Sequence, residues 1–423
     1  MNKIEKKVYD LVKRNPGVKL FIRNSYQAIC DIVPVKSKVS DHPITARDGY
    51  FFGFHDKIPF SGDDTKLLAG KYDIPLRTPK LNDALTVGYF SGKDHSEFTP
   101  VSKTLSWNWH QGCHLQWRGL SNEIVFNDFE DNQNIARVID VETGQSRTLS
   151  RAMSTVSPDG SWAAGYSFER VQEYMPGYGY LHGTGEDVHK PVTEKDGLYH
   201  IDMETGKSKL IVSITQVANF DIDKSMEAGK HYISHAIISP NSKRVMFLHR
   251  WIKNDKRKRW SRMFACDLDG NNLYRFPTFE MVSHMGWRNG NQILAYCRLS
   301  DNKDGYVLFD DLNLEGIQRI GEQHFSSDGH PSYEISGRWI VTDTYPNRFR
   351  QQSLFLFDSL KNERHDLAKL KQPSKFADGD MDAHWTCDLH PRWNRAGTKV
   401  CFDSTFSGKR ALCTMDVSNI VKK

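Results

Sequence analysis

A seven-bladed β-propeller, all-β and preceded by a short helical N-terminal extension, is the fold that this 423-residue sequence predicts, and three observations predict it. Aromatics make up 12% of the chain, with ten Trp, 30 Gly and 16 Pro, the composition of many short strands joined by tight turns. From residue 50 onward a turn-rich tetrapeptide followed by a short apolar strand recurs seven times. Between the copies, apolar stretches meet acidic turns, which marks outer hairpins. Such a period builds a propeller, whose core lies between stacked sheets and whose edges stay short.

Residues 1–45 form the extension. Ile4, Val8, Leu11 and Val12 recur at helical spacing, Pro16 interrupts, and Phe21, Ile22, Tyr26, Ile29 and Val33 suggest a second amphipathic segment. The polar faces carry Lys3, Lys6, Lys7, Lys13, Arg14, Lys19 and Arg23. Two readings stay open: helices packed across the domain, or a peripheral contact with an anionic membrane surface.

Residues 46–423 form the propeller. Its seven copies are SGDDTKLLAG (61–70), RGLSNEIVFN (118–127), SPDGSWAAGY (157–166), SPNSKRVMFL (239–248), RNGNQILAYC (288–297), EISGRWIVTD (334–343) and NRAGTKVCFD (394–403). RVIDVETGQSRTL, LYHIDMETGKSKLI, MFACDLDGNNLYRF, YVLFDDLNLEGIQRI and LFLFDSLKNERHDL read as outer hairpins. The largest insertion, Val171–Lys195, contains PGYGYLHGTG, and insertions of that kind shape a cleft on one face. Tyr178 within it is a candidate substrate contact.

Aligning the copies on their turns exposes a register. The residue that opens each innermost strand is His55, His114, Met153, His235, His284, His330 or His390, although His is only 17 of 423 residues. Innermost strands border the axial channel, so these positions form a ring of imidazoles. The ring either fills the channel as packing or holds a divalent metal, for which neutral imidazole is a common ligand. The consecutive set His235, His284, His330 and His390 is the leading ligand candidate, with Cys387, Asp388 and Asp328 as supplements. His114 then remains for substrate.

Other candidates lie nearby in sequence. His110, four residues before His114 in WNWHQGCHLQW, is either a general base or a satisfied core residue. Arg170 before the insertion and Arg250 after His249 offer forks for carboxylates, or serve structural salt bridges. The basic run Lys253–Arg262 reads as a solvated hairpin loop rather than an anionic-glycan contact.

A formal charge of +5 on so long a chain excludes a dedicated nucleic-acid binder. Seven Cys without a CxxC pair argue for a reducing compartment, the N-terminus lacks the apolar core of an export signal, and no window spans a membrane. The expected location is cytoplasmic, with membrane association following only under the second reading of the extension. GxSxG, Walker, GxGxxG and HExxH motifs are absent. The repeat resembles propellers attached to serine peptidases, but no nucleophile domain follows.

The strings HAIISPNSKRVMFLHRW, MVSHMGW, DGHPSYEISGRWIVTDTY and DLHPRWNRAGTKVCFDS resemble the oligogalacturonate lyase and ulvan lyase group of propeller polysaccharide lyases, with TolB-like repeats, over about residues 48–418. The resemblance implies an acidic-glycan cleft at one channel end and a divalent metal, manganese or zinc-like, on axial histidines. It matches His284 and His330 to metal-ligand motifs, His249 to a histidine near the catalytic centre and Arg170 to a cleft arginine. The implied chemistry is β-elimination at a uronic acid, with His110 or His249 as base and metal or Arg neutralising the carboxylate. Where ulvan lyases place a catalytic tyrosine, this chain has Ser154, which cannot act as a phenol does. Two functions follow: a cytoplasmic metal-dependent lyase acting on acidic oligosaccharide or polysaccharide, taken up or beside a membrane-bound glycan-assembly system, or a non-catalytic propeller binding glycan or protein partners.

Overall fold

Each of the seven turn copies lies between the innermost strand of a blade and the second strand. The turns are alike for a physical reason. Their fourth residue has positive φ in five copies, at Asp64, Gly160, Ser242, Gly337 and Gly397, where only Gly and small polar residues are at ease. The short side chains before it close the turn, as when Ser157 Oγ donates to Asp159 at 2.6 Å and Asp159 accepts from the Ser161 amide at 3.0 Å.

The computed structural model describes all residues except 1–24, 26, 28, 184, 186, 255–257, 314, 377–383 and 423. Its strands form seven antiparallel sheets, one per blade. Blade one holds Tyr50–Phe51, Leu67–Lys71, Leu85–Ser91 and Glu97–Thr104. Blades two to five follow with four strands each, their innermost strands being Gln116–Trp117, Thr155–Val156, Lys230–Ile238 and Val282–Trp287. Blade six runs from Ser332–Tyr333 to Glu363–Lys371 and gains Lys38–Val39 as a fifth, outer strand. Blade seven has three C-terminal strands and takes its outermost, Ile44–Asp48, from the N-terminal side, with Ile44 opposite Met415 and Asp48 opposite Ala411. That exchange closes the ring of blades and leaves no blade short of an edge partner.

The core sits between neighbouring sheets. One apolar cluster joins Trp162 and Leu198 of blade three to Tyr232, Val245 and Phe247 of blade four, and another joins blade one to Leu412 of blade seven. The first amphipathic segment of the extension, from Ile4 to Val12, lies outside the described residues, as do Phe21, Ile22 and Tyr26. Residues 29–32 are helical. Of the basic run, residues 255–257 lie outside the description, and the rest joins the paired strands Arg244–Ile252 and Arg259–Asp267.

The insertion after blade three's second strand begins as a helix, Phe168–Tyr174, capped by Ser167 Oγ, which accepts the Arg170 amide at 3.0 Å. Beyond it the chain passes so close to His384 that a Cβ on Gly177 would stand 2.5 Å from that ring. The insertion thereby reaches the segment leading into blade seven, and it lays Tyr178 parallel on His110, with ring centroids 4.4 Å apart.

Candidate metal centre

The ring positions do face one another. His284 and His330 have centroids 4.2 Å apart, His330 and His390 are 4.3 Å apart, and His55 lies 5.6 Å from His330 and 5.8 Å from His284. His235 meets this group across Phe54, whose ring is 5.1 Å from His235 and 5.0 Å from His390. His114 stands edge-on to Phe168 instead. Three of these histidines, His114, His235 and His390, have positive φ, a strained backbone for a non-glycine residue and one that recurs at functional sites.

Hydrogen bonds fix which nitrogen each imidazole offers. The Nδ1–H of His55 donates to Pro331 O at 2.9 Å, that of His114 to Ser154 O at 3.1 Å and that of His390 to Gly53 O at 3.0 Å. A carbonyl only accepts, so Nε2 of each carries the lone pair. His284 and His330 turn Nδ1 to carboxylates, Asp328 at 3.1 Å and Asp343 at 2.8 Å. The buried Nε2 atoms of His55, His114 and His330 have no protein partner. Imidazoles anchored through one nitrogen, with the other bare, are the arrangement of metal-ligating histidines.

Among the described residues, ligand atoms of His330, Asp388 and His390 all lie within 4.8 Å of one another. The candidate site is therefore two imidazoles and a carboxylate, with His284 alongside, and the donor set fits a hard or borderline divalent ion. Burial works against charge on His330, but Asp343 outweighs it and lifts the imidazole to about 9. Burial drives Asp388 up, with Asp343 adding to it, and holds His55, His114, His235 and His390 well down and neutral.

The other sequence candidates divide into those at the channel mouth and those away from it. His110 is buried, its Nδ1 lacks a partner, and burial together with Arg410 and His384 depresses it to about 3. Tyr178 covers it and lies 6.3 Å from His235. Arg250, also buried, donates to Met175 Sδ at 3.1 Å and leaves Nε unpartnered. Among the described residues no carboxylate comes within ion-pair distance of it. Ser154 donates to Ala236 O at 3.0 Å, beside the Tyr166 hydroxyl.

Arg170 and His249 are held elsewhere. The Arg170 guanidinium donates to Asp196 at 2.9 Å and to the carbonyls of Lys190, His231 and Asp187, bracing the insertion. His249 accepts Arg262 Nε–H on Nδ1 at 3.1 Å, which places its own proton on Nε2, donated to His231 Nδ1 at 2.9 Å. Both ring nitrogens are thus in use.

Sequence reasoning did not find Phe54, Asp343 or Tyr345. Asp343 had a signal: it ends its repeat copy, as Asn127 and Asp403 end theirs, and all three take backbone amides of the next blade. Tyr345 lies 5.4 Å from His330 and is 43% exposed as a residue, while desolvation of its hydroxyl and the nearby Asp388 and Asp328 keep the phenol protonated well above its usual range.

No family model matches this sequence, and no curated protein is similar to it in sequence. Solved structures are similar in fold. An oligogalacturonate lyase in complex with manganese superimposes with a TM-score of 0.64 over 92% of this chain and 100% of its own, at 15% identity. An oligogalacturonate lyase from Vibrio parahaemolyticus gives 0.55 over 90% and 99%, at 14% identity. At such identities the likeness is one of architecture, and the chain shares the seven-bladed propeller of the oligogalacturonate lyases.

Proposed function

We propose that the chain is a metal-dependent lyase-type enzyme acting by β-elimination on a uronic-acid-containing oligosaccharide at the mouth of the channel. The observation that carries this reading is the set of anchored imidazoles with bare Nε2 atoms around His330, Asp388 and His390. A manganese or zinc-like ion held there would supply charge stabilisation for a substrate carboxylate. Arg250, a buried cation lacking a carboxylate partner among the described residues, would orient that carboxylate through its fork. His110, neutral at pH 7, has an unpartnered Nδ1 to accept the proton α to the carboxylate. Tyr345 keeps its hydroxyl proton and would deliver it to the leaving oxygen. In this scheme His249 and Arg170 are structural.

One observation favours a second reading, a propeller that binds glycan or protein without turnover. Cavities of about 320 and 200 Å³ lie beside Glu169, Asp196 and Tyr199 and beside Asp221, Trp251 and Arg262, away from the ring, and the ring imidazoles other than His284 are buried. The experiment that separates the two is elemental mass spectrometry of the purified protein and of His330→Ala/His390→Ala, followed by assay of uronate oligomers for the ultraviolet absorbance of unsaturated products. Stoichiometric metal lost in the variant, with unsaturated product from the parent, supports the lyase. Absence of metal after reconstitution with manganese and zinc would leave the binding propeller.

A further inference from the structure

We infer that the described residues from Gln27 to Lys38, at the end of the propeller where the channel opens, form a peripheral docking platform for an anionic lipid surface, to which the sequence charge of residues 1–24 adds. The inference is independent of the metal reading.

Charge is the first observation. Residues 1–24 contain seven Lys and Arg against two Asp and Glu, which equals the whole +5 of the chain, so the remaining residues are neutral in sum. A local basic stretch on an otherwise neutral protein marks the part that meets an anionic surface.

The second observation is how the following segment is held. Asp31 takes a bidentate pair from Arg350, at 2.9 Å to each oxygen, and Gln27 donates to Arg348 O at 3.1 Å. Gln27 and Asp31 are four residues apart and share a helix face, and Cys30 beside them is buried. Ile29, Ile32 and Val33, spaced three and four apart, share another face and are 65%, 81% and 43% exposed. The chain then leaves along blade six, where Gln351 holds Lys36 O at 3.2 Å and Lys38–Val39 pairs with Lys369 and Ala368. Exposed Lys36 and Lys38 flank the apolar face. Three aliphatic side chains kept in water by a fixed helix, bordered by cations, match the interfacial zone of a bilayer, where the apolar face enters and the cations meet headgroups.

The third observation gives orientation. One loop, residues 344–350, carries Tyr345 against His330 at its start and the Arg348 and Arg350 contacts with the helix at its end. The platform and the channel mouth therefore belong to the same end of the propeller, and docking would present the mouth to acidic glycan carried at a membrane.

The test is flotation of the full chain with vesicles of phosphatidylcholine alone and of phosphatidylcholine mixed with phosphatidylglycerol. Ile29→Ser/Ile32→Ser/Val33→Ser and Lys6→Gln/Lys7→Gln/Lys13→Gln/Arg14→Gln are compared with the parent, and thermal unfolding and metal content serve as folding controls. The parent should partition onto the anionic vesicles roughly tenfold or more above the neutral ones, with added salt reducing it. Each variant should lose roughly fivefold or more while melting like the parent. Equal partitioning onto both vesicles overturns the inference, as does anionic binding that the apolar variant leaves intact. A parent that ignores vesicles and runs as a dimer dispersed by the apolar variant overturns it in favour of a second copy. Binding to soluble acidic polysaccharide but not to vesicles overturns it in favour of a glycan.

Discussion

Asp343 accepts the Nδ1–H of His330 at 2.8 Å and, through its other oxygen, the backbone N–H of His390 at 3.2 Å. It also takes the amides of His330 and Leu389. One buried carboxylate thus orients two of the three candidate ligands and ties blade six to blade seven. Asp343→Asn keeps the shape and removes the charge. His330 should then lose the support that lifts it to about 9 and stay neutral at pH 7. Loss of one partner of a buried pair costs about 3–5 kcal/mol. Loss of an outer carboxylate weakens metal binding about 10–100-fold. Thermal unfolding without metal checks the first effect, and competition with a chelator of known affinity checks the second.

His249 separates a catalytic role from a structural one. Its two nitrogens bridge Arg262 and His231 inside blade four, so His249→Phe should strand the Arg262 Nε–H and the His231 acceptor. The expected destabilisation is about 1–3 kcal/mol for each orphaned group. Metal content should not change, because the ring lies on other strands. A denaturant titration beside elemental analysis reads both, and metal lost without loss of stability would return His249 to the site.

The architecture was legible because repetition is a sequence property. Seven copies of a turn, five of them with a left-handed fourth residue, locate the inner hairpins, and their alignment brings out the histidine column. The closing strand was not legible, since Ile44–Asp48 straddles the boundary drawn at residue 45 between helical extension and propeller, and its pairing with Ala411–Asp416 is a contact across the whole chain. The site was legible by residue type and less so by role. Columns show who faces the axis, and Asp388, a supplementary candidate two residues before His390, joins His330 and His390 in the fold, whereas His235 stands apart across Phe54. Arg170 and Arg250 look alike in sequence. Only the fold shows that one meets Asp196, whereas the other has no carboxylate within ion-pair distance among the described residues.

Acid should unfold this protein early. Burial and the neighbouring Arg262 hold His231 at about 4, and His249 beside it is held well down. The unfolded chain binds protons on these imidazoles near pH 6.5, above where the folded chain does. Between about pH 6.5 and 4 the unfolded state therefore carries more protons, and stability falls as pH falls through that window. For His231 alone the loss is on the order of 3 kcal/mol once pH is below 4, at about 1.4 kcal/mol per unit. Melting temperature measured from pH 8 to pH 4.5 should fall steeply below about 6.5. His231→Gln, which keeps an acceptor, should flatten that fall, and an unchanged slope would refute the assignment.

Arg250 supplies the sharpest contrast between stability and binding. Burial lowers its hold on the proton, with the Tyr232 and Tyr178 hydroxyls offsetting this and Arg259 adding repulsion. A buried guanidinium with no carboxylate partner, as Arg250 is among the described residues, is unfavourable in the free protein and favourable once an anion enters. Replacing buried ions by apolar groups of similar volume is often neutral or stabilising by about 1–4 kcal/mol. Arg250→Met should accordingly melt at or above the parent's temperature in the absence of ligand. The same change should weaken binding of acidic oligosaccharide by about 2 kcal/mol or more, a loss of about thirtyfold, while neutral oligosaccharide is indifferent to it. Calorimetric titration with uronate oligomers and their reduced, neutral counterparts reads that difference. A variant that is destabilised and still binds the acidic ligand would make Arg250 a packing residue, and the carboxylate would have to be met by His330, His390 and the ion they are proposed to hold.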